Sequence, residues 1–300
     1  MKNKIDKISV ITTYYNTNNK IIQCLNSVMR QKKYDNYDIE YVIVNDCSTD
    51  NTEEIVNLFL KMFIKENPEC DIDVKHIKTD HNLGRGGARR LGIETSSGNY
   101  LMFLDSDDHY LNNDLIYRCH ELTPIEADII EFGIKYIDNN CDAHNLFIKS
   151  SQTLYNNGTG NLIYLFYEDN IKFMPWTKMI KRSLIETHQW SDDREYDDLL
   201  TIPYLIYNAN KIIIMPWVEI IYKPSYVSKD PNETHYKTVK AIASLFDDFK
   251  DNKSILKAMY QRCLVDMRSI LNLDSTNEYF RKMMKLNNKM LKYISPKYIN

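Results

Sequence analysis

The stretch Tyr100–Leu111, YLMFLDSDDHYL, runs from mostly apolar residues straight into a cluster of acids. A short apolar run bounded by turn residues reads as a buried strand. The tip of such a strand is where α/β proteins hold ligands. Asp105, Asp107 and Asp108 repel one another there unless a cation sits among them. The spacing Asp105-x-Asp107 puts two carboxylates within reach of one hard metal ion. An acidic surface turn accounts for the same residues, since turns favour Asp and Ser. On this stretch alone both readings stand.

Outward from this stretch, strand and helix signals alternate. Lys7–Thr13 reads as a strand, and Asn19–Gln31 follows with Ile22, Leu25, Val28 and Met29 at helical spacing. Glu40–Asn45 is a second apolar run, ending in Asp46-Cys47-Ser48-Thr49-Asp50. Asp50, with Glu53 three residues on, predicts a helix cap before the stripe Ile55, Leu58, Phe59 and Met62. Asp73–Lys78 is a third strand, Arg85–Thr95 a helix after a Gly-rich turn, and Asn99–Leu104 a fourth strand. Strands separated by helices of 10–15 residues imply a parallel sheet with helices on its faces. Beyond residue 110 the pattern changes. Ala127–Ile137 alternates its large apolar residues as a half-exposed or antiparallel strand would. Asp138–Gly160 is polar and reads as a loop or hairpin, and Glu195–Asn208 reads as a helix disturbed by Pro203. Lys211–Met215 and Val218–Tyr222 are predicted as two short strands. From about His235 the chain reads as two or three helices, with a boundary near Ser225–Pro231. The expected organisation is a catalytic domain over residues 1–228 and a helical region over 229–300.

Composition narrows the function classes. The 300 residues carry a formal charge of −3, so nothing favours nucleic acid as the main partner. The six cysteines form no CxxC pair, which argues against structural zinc or a disulfide framework and fits a reducing cytosol. The N-terminus lacks the apolar core of a signal peptide, and no stretch approaches the ~20 apolar residues that span a bilayer. The expectation is a soluble cytoplasmic protein. Lys282, Lys285, Lys289 and Lys292 offer a face for anionic lipid, and a solvated helix face explains them equally well.

Three strand ends converge on one edge of the expected sheet: Thr13-Tyr14-Tyr15-Asn16, Asn45-Asp46-Cys47-Ser48 and Asp105-Ser106-Asp107-Asp108. An aromatic ring stacks on a base, an acid accepts from a base N–H or a ribose hydroxyl, and a cation bridges acids to a diphosphate. Together these make a nucleotide-diphosphate site. GRGGARR lacks the Gly-Lys-Ser/Thr of a P-loop and the third glycine of a dinucleotide fingerprint. Its glycines read as a turn into a helix. Arg85, Arg89 and Arg90 lie beside that turn, either at the site or as a solvated basic first turn.

At these residues the chain resembles family 2 glycosyltransferases of the GT-A fold, from Ile8 to about Ser228. SVITTYYN matches the family's opening strand and P-x-Y-N, with Thr13 for proline. VIVNDCSTDNT matches D-D-G-S-x-D-x-T, with Asn45 for the first Asp and Cys47 for Gly. NLGRGGARRLGI matches N-x-G-x-x-x-A-R-N-x-G, with Arg90 for Asn, and FLDSDD is the D-x-D element. EADIIEFG resembles the strand that follows, PWTKMIKRSLI the W-N-K-L segment, and YDDLLTIPYLI the E-D element, with Asp197 for Glu. The resemblance implies an inverting transfer of sugar from a nucleotide diphosphate, with UDP-sugar expected, to a carbohydrate or glycoconjugate acceptor. It implies a Rossmann-like mixed sheet flanked by helices, and a role in polysaccharide or glycoconjugate synthesis. It assigns Tyr15 and Asp46 to the base and ribose, with Arg89 nearby and Asp105 on the ribose side, and places Thr13 and Ser106 among the donor-binding residues. Asp107 would ligate Mn²⁺ or Mg²⁺ bridging the diphosphate, and Asp198 takes the general-base position beside Asp197. Thr13 and Asn45 are departures within the nucleotide pocket.

Other residues carry less. Lys223 is placed to reach the leaving diphosphate, Trp176 either lines an acceptor pocket or packs in the core, and Lys178 reads as a surface charge. Two other classes fit part of the pattern. A sugar-nucleotide-forming nucleotidyltransferase needs a Gly-rich, lysine-bearing N-terminal signature, which SVITTYYN does not provide. A non-catalytic nucleotide-sugar-binding module has no need of both Asp107 and Asp198.

Overall fold

The computed structural model of the protein describes residues 6–34, 36–137, 143–146, 151–155, 157–167, 173–222 and 230–294. The first half alternates as expected: β1 Asp6–Tyr14, α1 Ile21–Met29, β2 Tyr37–Asn45, α2 Thr52–Glu66, β3 Ile72–Lys78, α3 Gly84–Thr95 and β4 Tyr100–Phe103. Then come β5 His109–Tyr110, α4 Leu115–His120, β6 Ile129–Ile137, β7 Ala143–Leu146, β8 Gln152–Tyr155 and α5 Gly158–Tyr167. The chain continues through β9 Lys178–Lys181, α6 Arg182–Ile185, α7 Asp197–Asn208 and β10 Lys211–Tyr222. Three helices close it: α8 Pro231–Ser244, α9 Lys253–Leu271 and α10 Glu278–Ile294.

Among the described residues one sheet collects every strand, in the path β3-β2-β1-β4-β9-β6-β10-β5, with β7 beside β6 and β8 beside β10. β1, β2, β3 and β4 run parallel, because a helix returns the chain after each of the first three. β9 then enters antiparallel between β4 and β6, and β10 pairs β6 in parallel. The result is a mixed α/β sheet flanked by helices, with a C-terminal helical segment, as the sequence led us to expect. α9 packs on α5, and α8 on α7 and α9. The proposed boundary near Ser225–Pro231 falls mostly outside the described residues.

Several expectations change in detail. Ile129–Ile134 is buried on both faces, not half-exposed, because β6 lies between β9 and β10 in mid-sheet. Its polar residue Glu131 survives there by pairing with Lys178 at 2.9 Å, so Lys178 is a fully buried cation rather than a surface charge. The two predicted short strands are one, β10, which absorbs Pro216 through register shifts between Ile214 and Ile220. The helix with Pro203 starts at Asp197 and runs through the proline. Asp50 accepts from the Thr52 amide, but Asn51 holds the N-cap position of α2.

Candidate active site

The carboxyl ends of β1, β2 and β4 open into one pocket of about 510 Å³. Thr13, Tyr15, Asp46, Asp105, Ser106 and Asp107 all line it. Their convergence follows from the parallel register, which sets Tyr14 of β1 level with Asn45 of β2. Tyr15 is 46% exposed and lines the pocket, an open platform for a flat ligand. The loops after β1 and β2 are knitted by Asn16, whose side-chain oxygen accepts from the amides of Thr49 and, at 3.3 Å, Asp50. Tyr14 is buried beneath, its hydroxyl 2.9 Å from His76 Nε2.

Asp46 is 4% exposed and binds the turn leading into α3. Its Oδ1 accepts from the Leu83 amide at 2.7 Å and its Oδ2 from the Gly84 amide at 2.9 Å. A carboxylate has about four acceptor positions, so these bonds leave capacity for a ligand donor. Asn45, its neighbour, does not line the pocket. It is fully buried, and its side-chain oxygen accepts from Ser48 N, holding the turn. Cys47 takes φ +60°, the left-handed conformation for which glycine is the unstrained choice. That is the backbone reason a glycine suits this place in the motif.

Across the pocket, the segment 190–196 lies over the start of α3. Gly84 has φ +79°, and a Cβ on Gly86 would stand 2.5 Å from the carbonyl oxygens of Ser191 and Asp193. These glycines therefore admit the overlying segment, a second reason for them beyond the turn into a helix. Arg194 closes the contact by donating to the Asn82 carbonyl at 3.1 Å.

One buried cation joins the two sides. Arg89 is 2% exposed and donates to Asp105 on the strand-tip side and, at 2.8 Å, to Asp197 on the helix side. Burial disfavours its charge, but the two carboxylates outweigh this and hold it firmly protonated. Asp197 is fully buried. It accepts from Arg85 Nε at 2.9 Å, Arg89 Nη1 at 2.8 Å and Trp190 Nε1 at 3.0 Å. Burial alone would raise its pKa, yet the two guanidinium groups keep it below the usual carboxylate range. Such a saturated carboxylate is unsuited to taking a proton. Asp197 therefore holds side chains in place and is not the base.

Asp198 differs. Its side chain is 19% exposed, it accepts from the Leu199 amide, and Arg85 Nη2 lies 3.5 Å away. Burial pushes its carboxyl above the ordinary value, with Arg85 pulling against that. Asp198 stands behind Arg85, which itself lines the pocket. Neither Arg85 nor Arg90 is a merely solvated cation: Arg85 grips Asp197 and the Glu195 carbonyl, and Arg90 pairs with Asp192. Trp176 is core, stacked on Tyr222 at 5.2 Å. Lys223 lies outside the described residues. Sequence patterns passed over Trp190, Arg194 and Glu195, which no spacing rule ties to a partner.

Among the described residues no three His, Cys, Asp or Glu side chains gather into a metal-holding group. Asp107 is exposed at the pocket wall beside Asp105 and Ser106, an oxygen-only donor set. That set fits Mg²⁺ or Mn²⁺ held jointly with a ligand's phosphates, as such ions commonly are.

Comparison with known proteins agrees with this geometry. The family described as "Glycosyl transferase family 2" matches residues 9–187. The glycosyltransferase GlyG of Streptococcus pneumoniae is 26% identical over 218 residues, 69% of this chain and 67% of GlyG. The poly(ribitol-phosphate) β-N-acetylglucosaminyltransferase TarS of Staphylococcus aureus is 33% identical over 110 residues, 37% of this chain but 18% of TarS. A TarS fragment solved with UDP-GlcNAc superposes with a TM-score of 0.71 at 16% identity, over 97% of this chain and 82% of that one. The mannosyltransferase PcManGT of Pyrobaculum calidifontis, solved with GDP-Man and Mn²⁺, gives 0.58 at 14% identity, over 99% and 83%.

Proposed function

Because the chain belongs to glycosyl transferase family 2, and is a glycosyltransferase, we propose that it moves a sugar from a UDP-sugar to an acceptor hydroxyl with inversion. The observation that carries this is the single pocket in which an open aromatic ring, a turn-anchored acid and an Asp-Ser-Asp tip face one another. Further support comes from TarS, solved with UDP-GlcNAc, and from PcManGT, solved with GDP-Man and Mn²⁺. TarS, a poly(ribitol-phosphate) β-N-acetylglucosaminyltransferase, also supports a place in polysaccharide or glycoconjugate synthesis.

The residues divide the work. Tyr15 stacks on the uracil ring, with Thr13 at its edge, and Asp46 accepts from the base. Asp105 and Ser106 meet the ribose side, and Arg89 positions Asp105 without touching the donor. Asp107 is the carboxylate that would hold the divalent cation. When bound, that cation neutralises charge on the departing diphosphate. Asp198 takes the proton of the attacking hydroxyl, and its raised pKa suits a group that must gain one. Asp197 keeps Arg85 and Arg89 in place around it. Retention of Asp198 beside the donor pocket favours transfer over mere nucleotide binding.

Calorimetry with UDP, GDP and ADP tests the donor, with UDP expected to bind tightest. Equal affinities would overturn the uridine assignment. Chelation with EDTA should abolish turnover of radiolabelled donor, and Mn²⁺ or Mg²⁺ should restore it. Full turnover by the chelated enzyme would remove Asp107 from its role.

A further inference from the structure

A second cleft, of about 460 Å³, lies between the segment 193–196, the start of α7 and helix α8. It shares Arg194 and Glu195 with the donor pocket, so the two spaces have a common wall. That wall is tied to the proposed base. Arg85 Nη2 donates to the Glu195 carbonyl and lies 3.5 Å from Asp198 Oδ1. Everything that lines the cleft lies beyond residues 9–187, so the family match assigns nothing to it.

The lining has two characters. Tyr196, Leu200 and Ala241 are apolar, and the Tyr196 hydroxyl reaches across to Thr238 of α8. Lys240 and Ser244 present polar groups from α8, both exposed, and Lys240 is in no ion pair among the described residues. Lys237 bridges Glu195 and Glu233, each at 3.1 Å, and so fixes the wall to the helix. An aromatic ring with a polar rim is what a pyranose requires, because a sugar offers a C–H face for the ring and hydroxyls for the rim. The volume falls within the roughly 300–1,000 Å³ of small-molecule sites.

We propose that this cleft is the acceptor subsite and that it holds a pyranose unit of a saccharide acceptor, with the Tyr196 ring against the sugar and α8 as the far wall. This rests on the glycosyltransferase reading above for its meaning, since an acceptor must lie beside a donor. It makes the C-terminal helices part of the recognition surface rather than packing alone.

Saturation-transfer NMR on the full chain tests it, with methyl α- and β-hexopyranosides, maltose, cellobiose and lactose as probes. Wild type should show saturation transfer to at least one of these with UDP present. Ala241→Trp and Ser244→Trp each fill the cleft from α8 and should cut that signal at least tenfold while UDP affinity stays within twofold. Ser244 is exposed, so its variant is expected to keep the fold, which a melting curve checks. Silence from every probe, or wild-type signals from both tryptophan variants, would overturn the subsite. Failure of wild type to bind UDP would instead overturn the donor reading, while the saccharide signals still judge the cleft.

Discussion

Two acidic pairs, one at the pocket wall and one behind Arg85, are built alike and act differently. On the strand-tip face Asp105 is bound to Arg89, while Asp107, two residues on, is exposed at the pocket wall. On the helix face Asp197 is saturated by Arg85, Arg89 and Trp190, while Asp198, its neighbour, keeps an exposed edge and a raised pKa. Each pair thus sets an anchored acid beside a more exposed one, and Arg89 is the single buried cation that binds both anchors. The lesson is that adjacent acids in a motif divide labour by what already binds them. A carboxylate with three donors is a fixture, and one with an open edge can do chemistry.

The sharpest break in this comparison would come from the helix face. Asp198→Asn should lower single-turnover transfer by 10²–10⁴-fold, the usual cost of a lost general base. Its UDP affinity and urea midpoint should stay near wild type. Asp197→Asn should do the reverse in stability, costing about 3–5 kcal/mol, because it leaves Arg89 and Arg85 partly uncompensated in a buried site. If Asp197→Asn keeps full stability while Asp198→Asn unfolds the chain, the two roles are exchanged.

The sequence made one face more legible than the other. The strand tips could be read because a parallel sheet puts consecutive β-strand ends on one edge, so Thr13, Asp46 and Asp105 had to converge. The anchoring of Asp197 could not be read. Its partners Arg85 and Arg89 lie more than a hundred residues away, and Trp190 sits in a segment with no periodic signal. β6 departs from its sequence pattern for a related reason. Alternation of apolar and polar residues marks a half-exposed strand only when the polar side meets water, and here Glu131 meets Lys178 instead. A buried ion pair across strands leaves no local mark. Pro216 likewise looked like a strand end, though β10 carries it as an irregularity.

Asp198 and its cation give the next test, through pH. Asp198 must be ionised to accept a proton, so transfer falls as pH drops through its pKa. Burial raises that pKa, and Arg85 opposes the rise. Arg85→Gln removes the opposing charge, so the acid limb of kcat should move to higher pH in the variant. The stability contributions have opposite signs. Asp197, with its pKa lowered in the fold, contributes stability above its unfolded value that is lost as pH falls through its folded one. Asp198, with its pKa raised, binds its proton more readily when folded, so it costs stability as pH rises through that window. An acid limb in Arg85→Gln that stays at the wild-type pH would detach Asp198 from the proton transfer.

On the strand-tip face, Tyr15→Ala tests the open ring. Loss of one base stack costs about 1–3 kcal/mol, so UDP should bind roughly 5- to 150-fold more weakly by calorimetry. Affinity for inorganic pyrophosphate, which has no base, should not change. If both ligands weaken equally, the ring shapes the loop instead of meeting the base.

The smallest effect belongs to the turn that carries Asp46. Cys47 sits at φ +60°, where an L side chain crowds its own carbonyl at a cost of roughly 1–2 kcal/mol. Cys47→Gly removes that strain but gives the unfolded chain more freedom, which offsets about 0.5–1 kcal/mol. The thiol also makes a long contact to the Asp80 carbonyl at 3.8 Å, too weak to reverse the balance. Net stabilisation of about 0.5–1 kcal/mol is therefore expected, read as a higher urea midpoint at unchanged slope. UDP affinity should hold or improve slightly, since the turn that presents Asp46 is relaxed and not rebuilt. Cys47→Ala serves as the control: it removes the thiol contact and keeps the strain, so it should be neutral or slightly destabilising. If glycine and alanine shift the midpoint equally, the left-handed backbone is not what the residue at this position is answering to.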